Sequence, residues 1–257
     1  MCTVIVGVEP GAETPVVLAG VRDEFAARPW EPPAAHWPEF PGLVGGRDLS
    51  AGGTWLAVDP LGSRVAALLN GCGPQADPSV RGSRGDLPLR AAAAGELPGG
   101  DLSRYDPFHL LVADLDGVRL WSWDGRGVTE DKLPAGVHVI VNTGWDRDAA
   151  GARAAYFRPR FAAAGRPSAW ATGDGSRDAR EAQEAWGAWR GLASGAGLPL
   201  TDPRALVVRE QSADGRVWGT SSVTLVALGA GALRYDFCPR PDDPGSWYEV
   251  MRLPGTP

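Results

Sequence analysis

A change of hydrophobic period partway along the chain sets its fold class. Up to residue 142 the sequence reads as short β-rich runs between Gly and Pro turns. These are Thr3 to Val8, Val16 to Val21, Thr54 to Val58 and Arg64 to Leu69, bounded by Pro10, Gly11, Gly53, Pro60 and Gly62. Phe108 to Asp114 and Val118 to Trp123 flank Leu115, Asp116 and Gly117, a hairpin signal, and Val137 to Asn142 continues the pattern. About seven strands are therefore predicted by residue 142. The period then lengthens. Asp148 to Ala164 and Asp178 to Ala193 are rich in Ala, Arg and Glu, and Ala182, Ala185, Trp186, Trp189 and Leu192 recur at the three-and-four spacing of a helix with one buried stripe. Strand signals return in Ala205 to Val208, Arg216 to Leu228 and Leu233 to Phe237, ahead of a Pro-rich tail.

Strands, then a helix pair, then strands predict helices packed on sheets in one α+β domain over residues 1–257, since no long polar linker divides the chain. Ala26 to Gly53 and Gly71 to Asp106 read as long loops crowded with Pro, Gly and aromatics, the length expected of lids or binding edges. The second is expected to hold a short helix near Leu87 to Gly95.

Composition excludes several classes. With 44% apolar residues the chain can form a core, despite 35 Gly and 23 Pro. The net charge is -6, and the basic residues, all Arg except Lys132, are scattered, so the basic face of a nucleic-acid binder is missing. The longest clean apolar runs, such as Val16 to Ala19 and Val65 to Leu69, fall far short of the roughly 18 residues that cross a bilayer, so no membrane insertion is expected. The start MCTVIVGVEP has neither a basic leader nor a long apolar stretch, which predicts a cytoplasmic protein. Cys2, Cys72 and Cys238 are odd in number and lack metal-ligand spacing, arguing against a disulfide framework or a zinc site. No phosphate-loop GxxxxGK[ST] pattern occurs. These readings predict no metal and no cofactor, a small-molecule substrate or ligand as the partner, and no signature of an oligomeric state.

Three features can carry chemistry. If Met1 is trimmed, Cys2 bears a thiol and a free α-amine on one residue. A thiol of pKa about 8.5 needs a base or a cation, and an amine of pKa about 7.7 to 8.0 can be that base. The alternative is a small apolar residue opening a buried strand. Next, the apolar run from Val16 to Val21 leads directly into Arg22, Asp23 and Glu24. A short turn would pair it antiparallel with Thr3 to Val8 and bring residues 20–24 beside Cys2, where a cation favours thiolate and a carboxylate holds the amine; a solvated turn is the plainer reading. Last, Asn70 and Asn142 each end a strand, where a side-chain amide can donate to a developing oxyanion or simply shape a turn.

These residues fall within a longer ordered set: MCTVIV, RDEF at 22–25, GRDLSAGGTWLAV at 46–58, Asn70, SRGDL at 83–87, GVHVIVN at 136–142 and GTSSVTLVAL at 219–228. In that order they resemble the NRDE family, also called the transport and Golgi organisation protein 2 family, over most of the chain. The resemblance implies a four-layer αββα sandwich of N-terminal nucleophile hydrolase type. It implies Cys2 as nucleophile, Arg22 as thiolate-stabilising cation, Asp23 as amine-holding acid and Asn70 and Asn142 as oxyanion-side amides. Glu24 competes with Asp23, because neighbours on a strand face opposite ways. The substrate-facing candidates are Glu24, Arg47, Trp55, His138 and Ser221. Arg47, Asp48 and Arg84 fall on motif positions as either ion pairs or anion contacts. His36, His109 and His138 belong to no CxxCH motif or cluster and read as hydrogen-bonded structural histidines, although His138 lies in the matched GVHVIVN segment. Trp55 reads as a core or sheet-face residue, whereas Trp30 and Trp37, in the first long loop, are pocket-rim candidates. Two motifs depart from the family pattern: Val21 replaces the first asparagine of the NRDE motif, and in the C-terminal strand an ungapped match sets Ser221 at an arginine and Val223 at a serine. The function implied is an N-terminal cysteine hydrolase or acyl-transfer enzyme for a small amide or related acyl group. The alternative is a non-catalytic carrier of acyl-CoA, lipid or haem in the same pocket.

Overall fold

The computed structural model describes residues 2–145, 151–167 and 185–253. Among these, strands form two sheets in which every neighbouring pair is antiparallel. In chain order they are β1 (Thr3–Val8), β2 (Val16–Phe25), β3 (Trp30–Ala34), β4 (Val44–Asp48), β5 (Leu56–Asp59), β6 (Arg64–Asn70), β7 (Phe108–Asp114), β8 (Gly117–Trp123), β9 (Val128–Leu133), β10 (Gly136–Val141), β11 (Gly144–Trp145), β12 (Arg209–Gln211), β13 (Val217–Gly229), β14 (Ala232–Cys238) and β15 (Tyr248–Leu253). The first sheet runs β11-β10-β1-β2-β13-β14-β15, with β12 added beside β13; the second runs β3-β4-β5-β6-β7-β8-β9. Among the described residues the α-helices are α1 (Leu87–Ala94), α2 (Gly151–Ala163) and α3 (Ala188–Ala193).

Period-two side-chain alternation decides where each residue goes. The even members of β1, Val4, Val6 and Val8, join Val16 and Leu18 of β2 and Val226 and Leu228 of β13. Together they pack against Leu56, Val58, Val65, Leu69 and Leu111 of the second sheet. The opposite face of the first sheet, with Ile5, Val17, Ala19, Val21 and Leu225, packs on Phe157 and Phe161 of α2 and Trp189 of α3. On the outer face of the second sheet, Ala66, Leu110 and Val112 pack with Leu87, Leu89 and Ala91 of α1. A strand covered on both sides has no polar face, so β1 reads as an unbroken buried run, TVIVGV. Each Val, Leu or Ile so buried contributes about 1.5–3 kcal/mol.

β1 and β7 run over the residues predicted, and β13, β14 and α1 lie within a residue or so of their predicted bounds. The differences have physical causes. β2 continues past Val21 to Phe25, because β13 stays paired with it as far as Trp218, so Arg22, Asp23 and Glu24 belong to a ladder and not to a solvated turn. The first predicted loop contains β3 and β4, whose Gly45, Gly46, Pro32 and Pro33 hide the strand signal. β9, with the sequence VTEDKL, is an edge strand and largely exposed. The Pro-rich tail contains β15. Ala205 to Val208 is buried but is not a strand: the Val208 N–H donates to the Thr220 hydroxyl, and pairing with β13 starts only at Arg209. Of the two predicted helices, residues 148–150 and 178–184 lie outside the described set; the described parts are α2 and α3. No described helix is long and apolar enough to cross a membrane.

One backbone contact shapes the space between the sheets. A Cβ on Gly53 would lie 2.3 Å from the carbonyl carbon of Gly85, and the Thr54 N–H donates to the Gly85 oxygen at 2.8 Å. The GGTWL and SRGDL segments therefore meet backbone to backbone. Gly53→Ala is expected to cost about 1–3 kcal/mol, as forced overpacking does, which at this chain length lowers Tm by roughly 2–4 °C per kcal/mol. Gly191→Ala, in α3 with nothing within 4 Å of the added Cβ, is expected to leave Tm unchanged or raise it. Thermal unfolding of the two variants side by side checks the contrast, and equal shifts would contradict the contact.

Candidate active site

Extending the β1 and β2 register one step beyond Thr3 and Val21 sets Cys2 opposite Arg22. Opposed residues share a face, so Cys2, Arg22 and Glu24 point between the sheets, whereas Thr3 and Asp23 point toward α2. A cleft of about 480 Å3 opens here, with Cys2, Arg22, Glu24, Asp48, Trp55 and Asn70 on its walls. Cys2 is half-buried, and its thiol donates to the Asp23 backbone oxygen at 3.6 Å. Burial pushes the thiol pKa up and the Asp23 carboxylate adds to the rise, with Arg22 opposing both.

Arg22 is only 5% exposed and is held on several sides. Its Nη1 donates to Ser221 Oγ at 2.9 Å, and that hydroxyl donates back to the Arg22 carbonyl at 3.1 Å. The register of β13 shifts between Thr220 and Ser222, and this irregularity takes Ser221 out of the ladder and frees it for the exchange. Nη2 donates to Asp48 Oδ2 at 3.1 Å, Glu24 lies 3.8 Å away, and the guanidinium carbon stands 4.4 Å from the centre of the Trp55 ring. Trp55 packs against Gly46, where a Cβ would come within 2.3 Å of the indole, and meets Trp30 edge-on.

Asp48 is the counter-ion of this group. Arg28 grips it with two bonds, Nε to Oδ2 at 2.6 Å and Nη2 to Oδ1 at 3.1 Å, and the Ser50 and Ala51 N–H groups both donate to Oδ1 at 3.0 Å. Burial alone would raise the Asp48 pKa, but the Arg28 and Ala51 hydrogen bonds and the two guanidinium charges outweigh it and hold the carboxyl below the usual range. On the far face of β2, the Asp23 carboxylate accepts from Arg153 of α2 at 3.1 Å and from the Thr220 hydroxyl at 2.7 Å. Arg153 also donates to Thr3 Oγ1 at 2.9 Å.

The structure thus brings Cys2, Arg22, Asp23, Glu24, Trp55 and Asn70 together around one cleft. Asn70 ends β6, exposed and paired with Phe108. Asp23 reaches Cys2 through its carbonyl, while its carboxylate is engaged on the helix side. Asn142 follows β10 and lies outside the cleft wall; its carbonyl accepts from His109 Nε2 at 3.2 Å and Cys72 Sγ at 3.4 Å, and its buried Oδ1 has no hydrogen-bond partner. Ser221 acts on Arg22 without lining the cleft. Arg47 is also off the wall, with a buried Nε that lacks a partner. His138 stands at a separate hollow between β10 and α2, where its Nε2 meets the Pro134 oxygen at 2.8 Å and its Nδ1 accepts from Trp145 at 3.2 Å. Trp30 packs against the inter-sheet core, and buried Trp37 donates to the Gly52 carbonyl, so neither lines the cleft.

Residues that the sequence reading did not place in the site include Arg28, Arg153 and Thr220. Arg153 and Thr220 are more than 120 residues from Asp23 and give no local signal. Asp48 did carry one: an Asp two residues before a Ser suits a turn capped by its own carboxylate, which is the bond observed. Among the described residues no group of three or more His, Cys, Asp or Glu could hold a metal ion, and all three cysteines are free thiols.

Comparison with known proteins gives a family match and several distant structural likenesses. The family model described as "Transport and Golgi organisation 2" matches residues 1–166. No curated protein matches the sequence. Among solved structures, a mutant conjugated bile acid hydrolase from Clostridium perfringens is 10% identical with a TM-score of 0.45, covering 91% of this chain and 88% of that one. A variant of the same hydrolase gives 10% identity and a TM-score of 0.45 over 100% and 99%. Penicillin V acylase from Agrobacterium tumefaciens gives 13% identity and a TM-score of 0.40 over 93% and 83%.

Removing the Asp48 carboxylate leaves Arg22 buried without its counter-ion. Asp48→Ala is therefore expected to lower the unfolding free energy by about 3–5 kcal/mol, the range for a broken buried pair. The pH dependence has a definite sign. Because the folded pKa lies below the unfolded value of about 3.9, the Asp48 contribution is complete above that value and is lost as pH falls through the folded one. Urea unfolding at pH 7 and pH 3 checks this: the gap between wild type and variant narrows at the lower pH, and a constant gap would contradict it.

Proposed function

Because the chain belongs to the transport and Golgi organisation 2 family, we propose that it is an N-terminal cysteine hydrolase or acyl-transfer enzyme acting on a small amide or related acyl group. The observation that carries this reading is Cys2 half-buried at a cleft, on the same sheet face as a guanidinium fixed by Asp48, Ser221 and Trp55. A sequestered cation beside a sulfur favours its thiolate. In this proposal residues 1–257 form one αββα sandwich of the N-terminal nucleophile type. The three apolar clusters support that layering, with one between the sheets and one on each outer face against helices.

In the mechanism, loss of Met1 leaves Cys2 with a free α-amine. Through a water molecule the amine takes the thiol proton as sulfur attacks the carbonyl carbon, and the Asn70 amide donates to the oxygen that becomes negative. The amine returns the proton to the leaving nitrogen as the C–N bond breaks. Water then cleaves the thioester and regenerates the thiol. Asp23 and Glu24 both line the cleft and are the two carboxylates this scheme offers to hold the amine, Asp23 being bonded to Arg153 and Thr220 and Glu24 lying beside Arg22 and Arg28. Asn142 stands one step past the residue paired with Thr3, opposite Cys2 in the extended register, which supports it as the second oxyanion amide of this scheme although its side chain is off the cleft wall.

One observation favours the carrier reading. With Met1 in place, burial and Asp23 hold the Cys2 thiol protonated, which suits a pocket that binds a ligand without attacking it.

Intact mass separates the two readings: a chain short by one methionine residue is expected for the enzyme, and full-length mass for the carrier. Cys2→Ala is expected to abolish acyl-enzyme formation from an activated ester, as read by mass spectrometry. Asn70→Ala is expected to retain acylation with kcat lowered about 100- to 1000-fold. Full turnover by Cys2→Ala would end the hydrolase proposal.

A further inference from the structure

The arginines around the cleft are not equivalent. Arg22 and Arg28 share Asp48, and Arg81 pairs with Asp106 at 3.2 Å. Arg84 also lines the cleft, yet among the described residues no carboxylate lies within ion-pair distance of it. Among the described residues its one hydrogen bond runs from Nη1 to the Pro107 carbonyl at 2.6 Å. Among the described residues the edge formed by Nε and Nη2 has no hydrogen-bond partner, and neither atom is fully buried. Arg84 nonetheless loses much of its hydration: burial lowers its pKa, with Asp106 and Cys2 opposing from a distance. A half-desolvated guanidinium with a free two-donor edge is expensive unless a ligand completes it.

Its position is fixed relative to the reacting groups. The Pro107 carbonyl that anchors Arg84 also accepts from the Gly71 N–H at 2.8 Å, the residue next to Asn70. Arg84 itself leads into α1, and the neighbouring Gly85 carbonyl is tied to Thr54 at 2.8 Å, one residue from Trp55. Arg84 therefore lines the same cleft as Asn70, Trp55 and Leu68 and is tied by backbone bonds to the segments that carry Asn70 and Trp55.

We infer that Arg84 is a specificity-determining residue that binds the carboxylate of the substrate, so that the substrate class is a carboxylate-bearing amide or acyl compound whose uncharged part lies along Trp55 and Leu68. The parallel Nε–H and Nη2–H donors match a planar carboxylate held by two bonds, a geometry that neither lysine nor a neutral amide reproduces. This inference rests on the reading of Cys2 as the reacting group, and its test separates the two.

Alkylation of Cys2 by iodoacetate and by iodoacetamide is followed by peptide mass in the full chain, with exposed Cys72 as the internal reference. The two reagents differ in charge and little in size. At Cys2 the iodoacetate-to-iodoacetamide rate ratio is expected to exceed that at Cys72 by at least about tenfold, the effect of a charge-assisted pair, and Arg84→Gln returns it to the Cys72 value. Equal ratios at the two thiols of wild type would overturn the inference. A calorimetric titration with N-acetylglycine and its primary amide uses Cys2→Ala and so does not depend on a nucleophile. The acid is expected to bind at least about tenfold tighter than the amide. That preference disappears in the double variant carrying Arg84→Gln and is partly kept with Arg84→Lys, thermal unfolding showing that each variant is folded. No preference for the acid would overturn the carboxylate site even if Cys2 proves catalytic; a preference with an unreactive Cys2 would support the site while ending the hydrolase proposal.

Discussion

A guanidinium buried between two β-sheets cannot be left alone, and the arrangement around Cys2 follows from that cost. Arg22 comes from a strand of the first sheet and Asp48 from a strand of the second, so their ion pair is also a tie between sheets. Desolvation alone would make the pair a poor stabiliser. Here the remaining donors and acceptors are used: Arg28 and two backbone N–H groups complete Asp48, while Ser221 and the Trp55 face complete Arg22. A group satisfied on this many sides is oriented as well as neutralised.

The same pleat divides the polar residues of β2 between two tasks. Arg22 and Glu24 serve the cleft, while Asp23 faces the helix layer and joins Arg153 and Thr3. The first set places charge near the Cys2 sulfur. The second fixes α2 on the sheet immediately beneath it, so chemistry and support alternate residue by residue along one strand.

How much of this was legible in the sequence depended on the range of the interaction. β1, β7 and α1 were readable because their apolar runs and flanking Gly or Pro are local. Proximity of Cys2 to residues 20–24 was readable because a short turn leaves one antiparallel register. β3 and β4 were not, since Gly and Pro suppress the usual propensity and only pairing in the sheet makes them strands. That Asp23 and Glu24 face opposite ways was readable from alternation, but which sheet face holds α2 was not. Arg153 and Thr220 could not be found by any window, because contacts over such separations leave no trace in local pattern. His138 was drawn toward the site by its motif, whereas its bonds to Pro134 and Trp145 belong to the β10 hairpin.

The central place of β1 and β2 has a consequence for biosynthesis. β1 is flanked by β2 and by a strand from residues 136–141, and β2 is completed by one from residues 217–229. β1 and β2 therefore wait, as an adhesive hairpin, for partners translated much later. The bond between Arg22 and Ser221 closes over a separation of 199 residues, so the pocket around the sulfur matures only after β13 has been made.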